Sequence, residues 1–217
     1  MTEEIVRVDI WSDIVCPWCY LGKRRFEQGL SGFEHRDQVE VTYHAFELDP
    51  SMPAGQQTPV LDLLSAKYRM SKEQAREAEA GLAAKAAADG LGFTADRVMA
   101  NTFDAHRLVQ FGLERGVQDR LIQRLYEAYF AEGRPVFDPA ALAGVAAEAG
   151  LDEDEARQVL ADGSYADAVR ADEAQATRLG ITGVPFFVLA GKYGLSGAQP
   201  AEVITRALDE AWAAAAS

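Results

Sequence analysis

The chain has 217 residues, of which 48% are hydrophobic, and its formal net charge is −13. This length and apolar content suffice for one large domain or for a domain that carries a sizeable insertion. The acidic balance and the lack of a dense lysine and arginine run argue against a nucleic-acid partner. No apolar run reaches the ~18 residues that a membrane span needs, so no membrane role is expected.

The first residues do not predict a secretory signal, because strand-like sequence begins without a preceding basic segment and apolar stretch. We therefore expect a cytoplasmic location, although a mature chain from which a signal had been removed would look the same. In a reducing cytosol, a lone cysteine pair more often serves catalysis or redox sensing than a structural disulfide.

The start of the chain predicts a strand, a helix and a second strand. Residues 5–11 are apolar and strand-like, residues 17–30 are amphipathic with helical spacing, and residues 39–46 alternate at first as a half-buried strand does. Two strands joined through a crossover helix are expected to pair in parallel.

The middle of the chain predicts only helices, and residues 60–162 contain no convincing strand. Ser71 and Gln74 are spaced as in a capping box, which marks a helix start. Asp138 followed by Pro139 marks another, with an N-cap residue and a proline at the first helical position. The helices predicted here span residues 71–89, 97–115, 118–132, 138–149 and 152–160.

The end of the chain returns to an α/β pattern, with a helix over 165–179, a hairpin over 186–196 and a helix over 200–215. We therefore predict an α/β protein with a thioredoxin-like fold and an all-helical domain inserted after the second strand. The predicted limits are residues 1–56 and 165–217 for the thioredoxin-like domain and 57–164 for the insertion.

Both cysteines, Cys16 and Cys19, lie where the first strand passes into the first helix. Positions three apart share a helix face, and one turn supplies the roughly 4.4–6.8 Å between Cα atoms that a disulfide needs. Cys16 falls at the helix start, where unpaired N–H groups and the helix dipole favour a thiolate, and Pro17 suits the first helical position. We therefore predict that Cys16 is the exposed nucleophile and Cys19 the more buried resolving thiol.

Two simpler interpretations of the cysteine pair are a structural disulfide and half of a zinc site. Zinc needs four ligands, usually from two such pairs or from added histidines. His35, His44 and His106 show no ligand spacing, so we predict no metal.

Residues around the pair are candidates for tuning it. Pro17 and Trp18 lie between the cysteines, where side chains alter thiolate stability and so redox potential. Trp18 is expected at the rim of the site, in contact with substrate, or is simply a surface aromatic. Asp13 could disfavour the thiolate by charge repulsion, relay its proton, or act only as a turn or capping residue.

Phe103 and His106 lie in the predicted helical insertion. Both are candidates for one wall of a cleft over Cys16. A histidine on such a helix is more often a packed or hydrogen-bonded structural residue. An apolar face of the insertion could serve a homodimer as easily as a substrate.

Six short motifs follow one another along nearly the whole chain, at residues 8–13, 16–20, 46–50, 101–108, 183–187 and 196–200. Together they resemble the DsbA family of thiol–disulfide oxidoreductases, and most of all its FrnE-like branch. The resemblance is far more specific than a lone Cys-x-x-Cys, because the motifs occur in order over the chain.

The resemblance implies that Cys16 and Cys19 are the active-site pair. It further implies that Pro185 is a cis-proline facing them and that Val184 offers its backbone to a substrate segment, as in the addition of a short strand. From the residues alone, Pro185 is equally a simple strand-start proline. No resident cofactor is implied beyond the redox pair, and glutathione is a candidate co-substrate.

We predict a thiol–disulfide oxidoreductase whose Cys-Pro-Trp-Cys pair acts through a mixed disulfide on a protein or small-molecule substrate, with an unidentified recycling partner. One alternative is a glutathione-dependent isomerase or transferase acting on an aromatic or polyketide-type molecule. The related isomerases usually have serine where this chain has Cys16, which argues against that alternative. Another alternative is a redox-sensing or chaperone-like binding protein.

Overall fold

The computed structural model describes residues 5–215. The chain forms two compact units, one made of residues 1–46 and 170–217 and the other of residues 47–169. The domain limits predicted above stay a prediction, because compactness alone does not show that a part folds by itself. None of the described helices is long and apolar enough to cross a membrane.

The elements largely follow the predicted order, with strands and helices in the first and last parts of the chain and mainly helices between them. In chain order they are β1 (Val6–Ser12), α1 (Pro17–Ser31), β2 (Val39–Ala45), β3 (Thr58–Pro59), α2 (Val60–Tyr68), α3 (Lys72–Ala88), β4 (Val98–Met99), α4 (Phe103–Glu114), α5 (Gln118–Tyr126), α6 (Pro139–Glu148), α7 (Glu153–Asp162), α8 (Ala166–Arg178), β5 (Phe186–Leu189), β6 (Tyr193–Ser196) and α9 (Ala201–Ala215).

The first unit is built on a four-stranded sheet of order β2-β1-β5-β6. The central strand β1 runs parallel to β2, with Val6 opposite Val39, and antiparallel to β5, with Ile10 opposite Phe187. β5 and β6 form the predicted hairpin. The parallel pair, the hairpin and the thioredoxin-like fold with its helical insertion are thereby confirmed.

Helices α1 and α9 of the first unit meet at Gly29. A Cβ at Gly29 would lie 2.8 Å from both the Ala201 carbonyl oxygen and the Ile204 side chain, so only glycine allows this approach. The Thr205 hydroxyl donates a hydrogen bond to the Gly29 carbonyl at 2.8 Å across the same contact. The backbone of α1 is therefore held directly against α9.

The second unit is helical apart from β3 and β4, which pair antiparallel. The prediction of a helix from residue 97 was wrong over its first residues. Val98 and Met99 bond to Thr58 and Pro59 instead, and α4 begins only at Phe103. Two residues of strand leave no periodicity long enough to recognise in a sequence.

Helix starts in the second unit follow their capping residues. The Ser71 hydroxyl accepts from the Gln74 N–H at 3.1 Å, and the Gln74 side chain accepts from the Ser71 N–H at 2.8 Å, which confirms the capping box. Asp138 caps α6 and Asp152 caps α7 through one bond each, since their carboxylates accept from the backbone N–H groups of Ala141 and Glu155. These bonds satisfy N–H groups that a helix leaves unpaired at its first turn.

A buried ion pair lies in the core of the second unit. The side chains of Arg97 and Glu79 are paired and only 3% and 4% exposed. The Arg97 guanidinium carbon lies 4.4 Å from the Phe93 ring centroid and 4.7 Å from that of Phe130. Aromatic faces and one carboxylate therefore replace the water that this cation would otherwise keep.

We expect Glu79→Ala to lower the free energy of unfolding by about 3–5 kcal/mol, because it leaves Arg97 charged and unpaired in the core. Urea denaturation measures the loss. Glu77→Ala, on an exposed position of the same helix, is the matched control and should change stability by less than about 0.5 kcal/mol. Equal effects of the two variants would show that the buried pair carries no special stability.

Candidate functional site

The cysteine pair lies at the junction of β1 and α1, as predicted. Cys16 is the N-cap residue of α1, with an extended backbone (φ −84°, ψ 112°), and Pro17 is at the first helical position. The Cys16 carbonyl accepts from the N–H groups of Cys19 and Tyr20 at 3.0 and 3.2 Å. The first turn of α1 carries no acidic side chain, so nothing there offsets the positive end of the helix dipole.

Both cysteines are free thiols and both are buried, with Cys16 3% and Cys19 2% exposed. The prediction that Cys16 is exposed was therefore wrong. Its Sγ lies 3.5 Å from the Val184 carbonyl oxygen, so a segment from the far end of the chain covers the sulfur. The residues next to Cys16 in the sequence do not indicate that a distant segment will bury its sulfur.

Burial raises the pKa of the Cys19 thiol well above its usual value. A hydrogen bond with Cys16 and the negative charge of Cys16 raise that pKa further, while a backbone hydrogen bond at Asp13 opposes the rise. The Asp13 carboxylate, itself 1% exposed, also raises the pKa of Cys19. The charge repulsion expected from Asp13 therefore acts on Cys19, which stays protonated.

Trp18 and Pro17 separate the two cysteines. Trp18 is 41% exposed while both neighbouring thiols are buried, so its indole is the large apolar surface beside the pair. Pro17 is partly buried. Trp18 thus has the exposure expected of a residue at the rim, and its contact with substrate stays a prediction.

The Val184–Pro185 peptide bond is cis, and Pro185 is buried directly before β5. The Cys16 thiol donates a hydrogen bond to the Val184 carbonyl, and the Pro185 carbonyl accepts from the Gly197 N–H at 2.8 Å. The structure therefore brings Val184 and Pro185 to Cys16, as the family resemblance implies. Pro185 is a strand-start residue as well, so both interpretations of the sequence hold.

Phe103 and His106 belong to the second unit, at the start of α4. Phe103 is partly buried and donates its N–H to the Asn101 side chain at 3.0 Å. His106 is 2% exposed, in line with a packed structural residue. Their predicted place on a wall over Cys16 stays a prediction.

Sequence analysis missed a charged cluster in the first unit, centred on His44. The Nδ1 atom of His44 lies 2.7 Å from Asp172 and its Nε2 atom 2.8 Å from Asp9, and the ring stacks on Trp11 at 4.5 Å between centroids. Burial opposes protonation, but the bonds to Asp172 and Asp9 and their charges outweigh it and raise the pKa of His44 from 6.5 to about 9. At neutral pH this ring is therefore a cation between two carboxylates.

The cluster ties β1, β2 and α8 together. The Trp11 indole N–H donates to the Asp172 carbonyl at 3.2 Å, and the second Asp172 carboxylate oxygen accepts from the Ala45 N–H at 2.9 Å. Trp11 forms a buried cluster with Ala176 and Ile181, against which Val184 and Phe186 pack. The one feature of the sequence that could have predicted this cluster is a charged residue, Asp9, within a largely buried strand.

A buried cation follows the pair on α1. Lys23 lies four residues after Cys19, so both share a helix face, and its side chain is only 1% exposed. It pairs with Glu27 and lies 5.8 Å from the Tyr43 ring centroid. Because Lys23 lies about one helical turn after Cys19, helical periodicity would have predicted from the sequence that Lys23 is buried as well. Among residues 5–215, no group of three or more His, Cys, Asp or Glu side chains is placed to hold a metal ion.

We expect the stabilisation from His44 to depend on pH. Because its folded pKa lies above the unfolded value, the contribution is complete below about pH 6.5 and is lost as the pH rises through about 9. The shift corresponds to about 3 kcal/mol. Urea denaturation between about pH 6 and pH 10 should show this fall in the wild type and not in His44→Gln.

His35→Gln is the matched control, because His35 stacks on Trp212 with centroids 4.1 Å apart and forms no part of the carboxylate cluster. This variant should keep the fall in stability. An identical pH profile for wild type and His44→Gln would contradict a protonated, doubly bonded His44.

Known proteins are similar to this chain in both sequence and fold. The family model of the DSBA-like thioredoxin domain matches residues 7–209. The crystal structure of a probable DsbA oxidoreductase, SCO1869 from Streptomyces coelicolor, is 55% identical, covers 96% of this chain and 90% of its own, and superimposes with a TM-score of 0.93.

Two further relatives are more distant. The uncharacterized protein YwbO of Bacillus subtilis is 29% identical over 206 residues, which is 94% of this chain and 96% of that protein. The cytosolic disulfide reductase DsbM from Pseudomonas aeruginosa, crystallised with GSH, shares the fold at 18% identity, a TM-score of 0.59 and coverage of 95% and 96%. The family match over nearly the whole chain shows that this protein belongs to the DsbA-like family of thioredoxin-fold thiol–disulfide oxidoreductases.

Proposed function

We propose that the protein exchanges thiols and disulfides through Cys16 and Cys19, with Cys16 as the nucleophile. One observation carries this proposal: the Cys16 sulfur lies at the N-terminus of α1 and contacts the Val184 carbonyl, next to Pro185. Free N–H groups at a helix start stabilise a thiolate, which is the attacking form of a cysteine.

In the proposed reaction the Cys16 thiolate attacks one sulfur of a substrate disulfide. The substrate S–S bond breaks, a Cys16–substrate disulfide forms, and the first substrate thiolate leaves and takes up a proton. Cys19 then loses its proton and attacks the Cys16 sulfur, which releases the second substrate thiolate. The substrate has gained two electrons and the protein holds a Cys16–Cys19 disulfide; the same steps in reverse oxidise a dithiol.

The raised pKa of Cys19 suits the resolving role. A thiol that stays protonated does not compete with Cys16 for the substrate disulfide, since the thiolate is the nucleophile. We propose that Asp13 tunes this step through its charge next to Cys19. Pro17 tunes Cys16 differently, because it has no N–H to add to the helix-end donors around the sulfur.

Substrate contacts are proposed for Val184 and Trp18, through the backbone and the exposed indole respectively. Phe103 and His106 stay candidates for contacts from the second unit. The substrate class is a protein or small molecule with a disulfide or a reactive thiol. The cytoplasmic location, the FrnE-like branch and a homodimer stay predictions.

Glutathione is proposed as a co-substrate that could recycle the pair. The solved structure of DsbM with GSH resembles this chain in fold, and at 18% identity the proposal of GSH as a co-substrate rests on that fold alone. The glutathione-dependent isomerase has less support, because a buried dithiol of Cys16 and Cys19 fits two-electron exchange and the first position is not serine.

We expect a redox titration of the purified protein in glutathione buffers, scored by trapping free thiols, to show a reversible two-electron transition. Cys16→Ser should abolish exchange with a disulfide peptide, because no nucleophile remains. Cys19→Ser should accumulate the mixed disulfide, because nothing resolves it, and mass spectrometry detects the adduct. Full exchange activity in Cys16→Ser, or thiols that stay reduced throughout, would refute the proposed function.

We expect Trp18→Ala to lower the second-order rate constant for a disulfide peptide about fivefold, equivalent to ~1 kcal/mol, because it removes apolar contact area beside Cys16. Leu113→Ala, at a similarly exposed position in α4, should leave the rate unchanged. Stopped-flow fluorescence or thiol trapping measures both. If the two variants behave alike, Trp18 is only a surface aromatic.

A further inference from the structure

The α1 face one turn beyond the cysteines carries no side chain at Gly22, and the Pro185 ring fills the space. A Cβ at Gly22 would lie 2.8 Å from Cγ of Pro185, 3.4 Å from its Cβ and 3.7 Å from Cα of Ala198. Real Cβ atoms do not come as close as 2.8 Å, so any larger residue must displace the ring. Glycine is unfavourable within a helix, so its presence here points to a packing requirement.

Two hydrogen bonds hold the same region in place. The Pro185 carbonyl accepts from the Gly197 N–H at 2.8 Å, and the Arg25 guanidinium donates to the Ala198 carbonyl at 2.8 Å. Gly197 has a φ of +79°, which other residues adopt only with strain. Arg25 lies three residues after Gly22 and so on the same face of α1. The motif at 196–200 therefore links Pro185 to α1.

We infer that Gly22 is a positioning residue for the exchange reaction, which rests on the proposed function. Its bare backbone sets the position of Pro185, and Pro185 sets that of the Val184 carbonyl, which accepts from the Cys16 thiol at 3.5 Å. A side chain at Gly22 moves Pro185, and with it the carbonyl, away from the sulfur. The dithiol form then loses a hydrogen bond, and a substrate segment pairing with Val184 meets a displaced backbone.

Gly22→Ala tests the inference. The redox equilibrium constant against glutathione should shift about threefold towards the disulfide form, equivalent to ~14 mV for this two-electron couple. The second-order rate constant for a disulfide peptide should fall about tenfold, because the Val184 carbonyl no longer positions the Cys16 sulfur and the Val184 backbone no longer positions the substrate segment. Thiol trapping in glutathione buffers and stopped-flow kinetics measure the two values.

The chain offers two matched controls. Gly29→Ala creates a clash of the same 2.8 Å on the same helix, but against Ala201 and Ile204 of α9. Gly81→Ala places a Cβ on α3, where no atom lies within 4 Å. Gly29→Ala is expected to lose stability while its equilibrium constant stays as in the wild type. Gly81→Ala should gain slightly in stability, because alanine favours a helix more than glycine does, and should also keep the wild-type equilibrium constant.

The outcomes separate the inference from the proposed function. A wild type without a reversible dithiol–disulfide transition refutes the proposed function and the inference with it. A normal wild type in which Gly22→Ala matches Gly29→Ala, or shifts towards the dithiol, refutes the inference alone. If Gly22→Ala does not fold, Arg25→Gln replaces it in the test, because this variant removes the hydrogen bond of the Arg25 guanidinium to the Ala198 carbonyl. An unchanged equilibrium constant and rate in Arg25→Gln would then refute the inference.

Discussion

The contact between the Cys16 sulfur and the Val184 carbonyl is the constraint on which the candidate site depends, and it joins residues 168 positions apart. The register of the sheet produces it. The antiparallel pairing of β1 with β5 places Trp11 opposite Phe186. The loop that leaves β1 and the loop that enters β5 therefore meet at one end of the sheet, and each brings its candidate functional residues there. A shift of this register would separate the thiol from the segment before Pro185.

Charged side chains support this end of the sheet from inside the first unit. Burying a charge is costly unless a partner of opposite sign satisfies it. His44 meets that condition with two carboxylates, Asp9 and Asp172, which belong to a strand and a helix on either side of it. Because Trp11 stacks on this ring and belongs to the buried cluster against which Val184 packs, the ion cluster also supports the covering segment. Stability and site geometry are thus joined in one set of contacts.

The helical second unit enters the chain after β2 without disturbing this arrangement. The cost of closing a chain segment grows only slowly with its length, so a long insertion need not weaken the pairing of β1 with β5. The second unit has a core of its own, in which Arg97 lies among aromatic rings and is paired with Glu79. Its capped helix starts form through contacts between residues three apart, which do not depend on the sheet.

The sequence by itself determined most of the elements and the position of the cysteine pair at the start of α1, because periodicity, capping and the place of Cys16 before Pro17 are local properties. It failed where partners are distant. Val98 and Met99 form a strand because residues 58 and 59 pair with them, and Cys16 is buried because Val184 covers it. The His44 cluster and the contact of Gly22 with Pro185 likewise join residues far apart in sequence. Only the tertiary structure decided these, since a pattern within a few turns of chain carries no information about which distant residue will fill a given space.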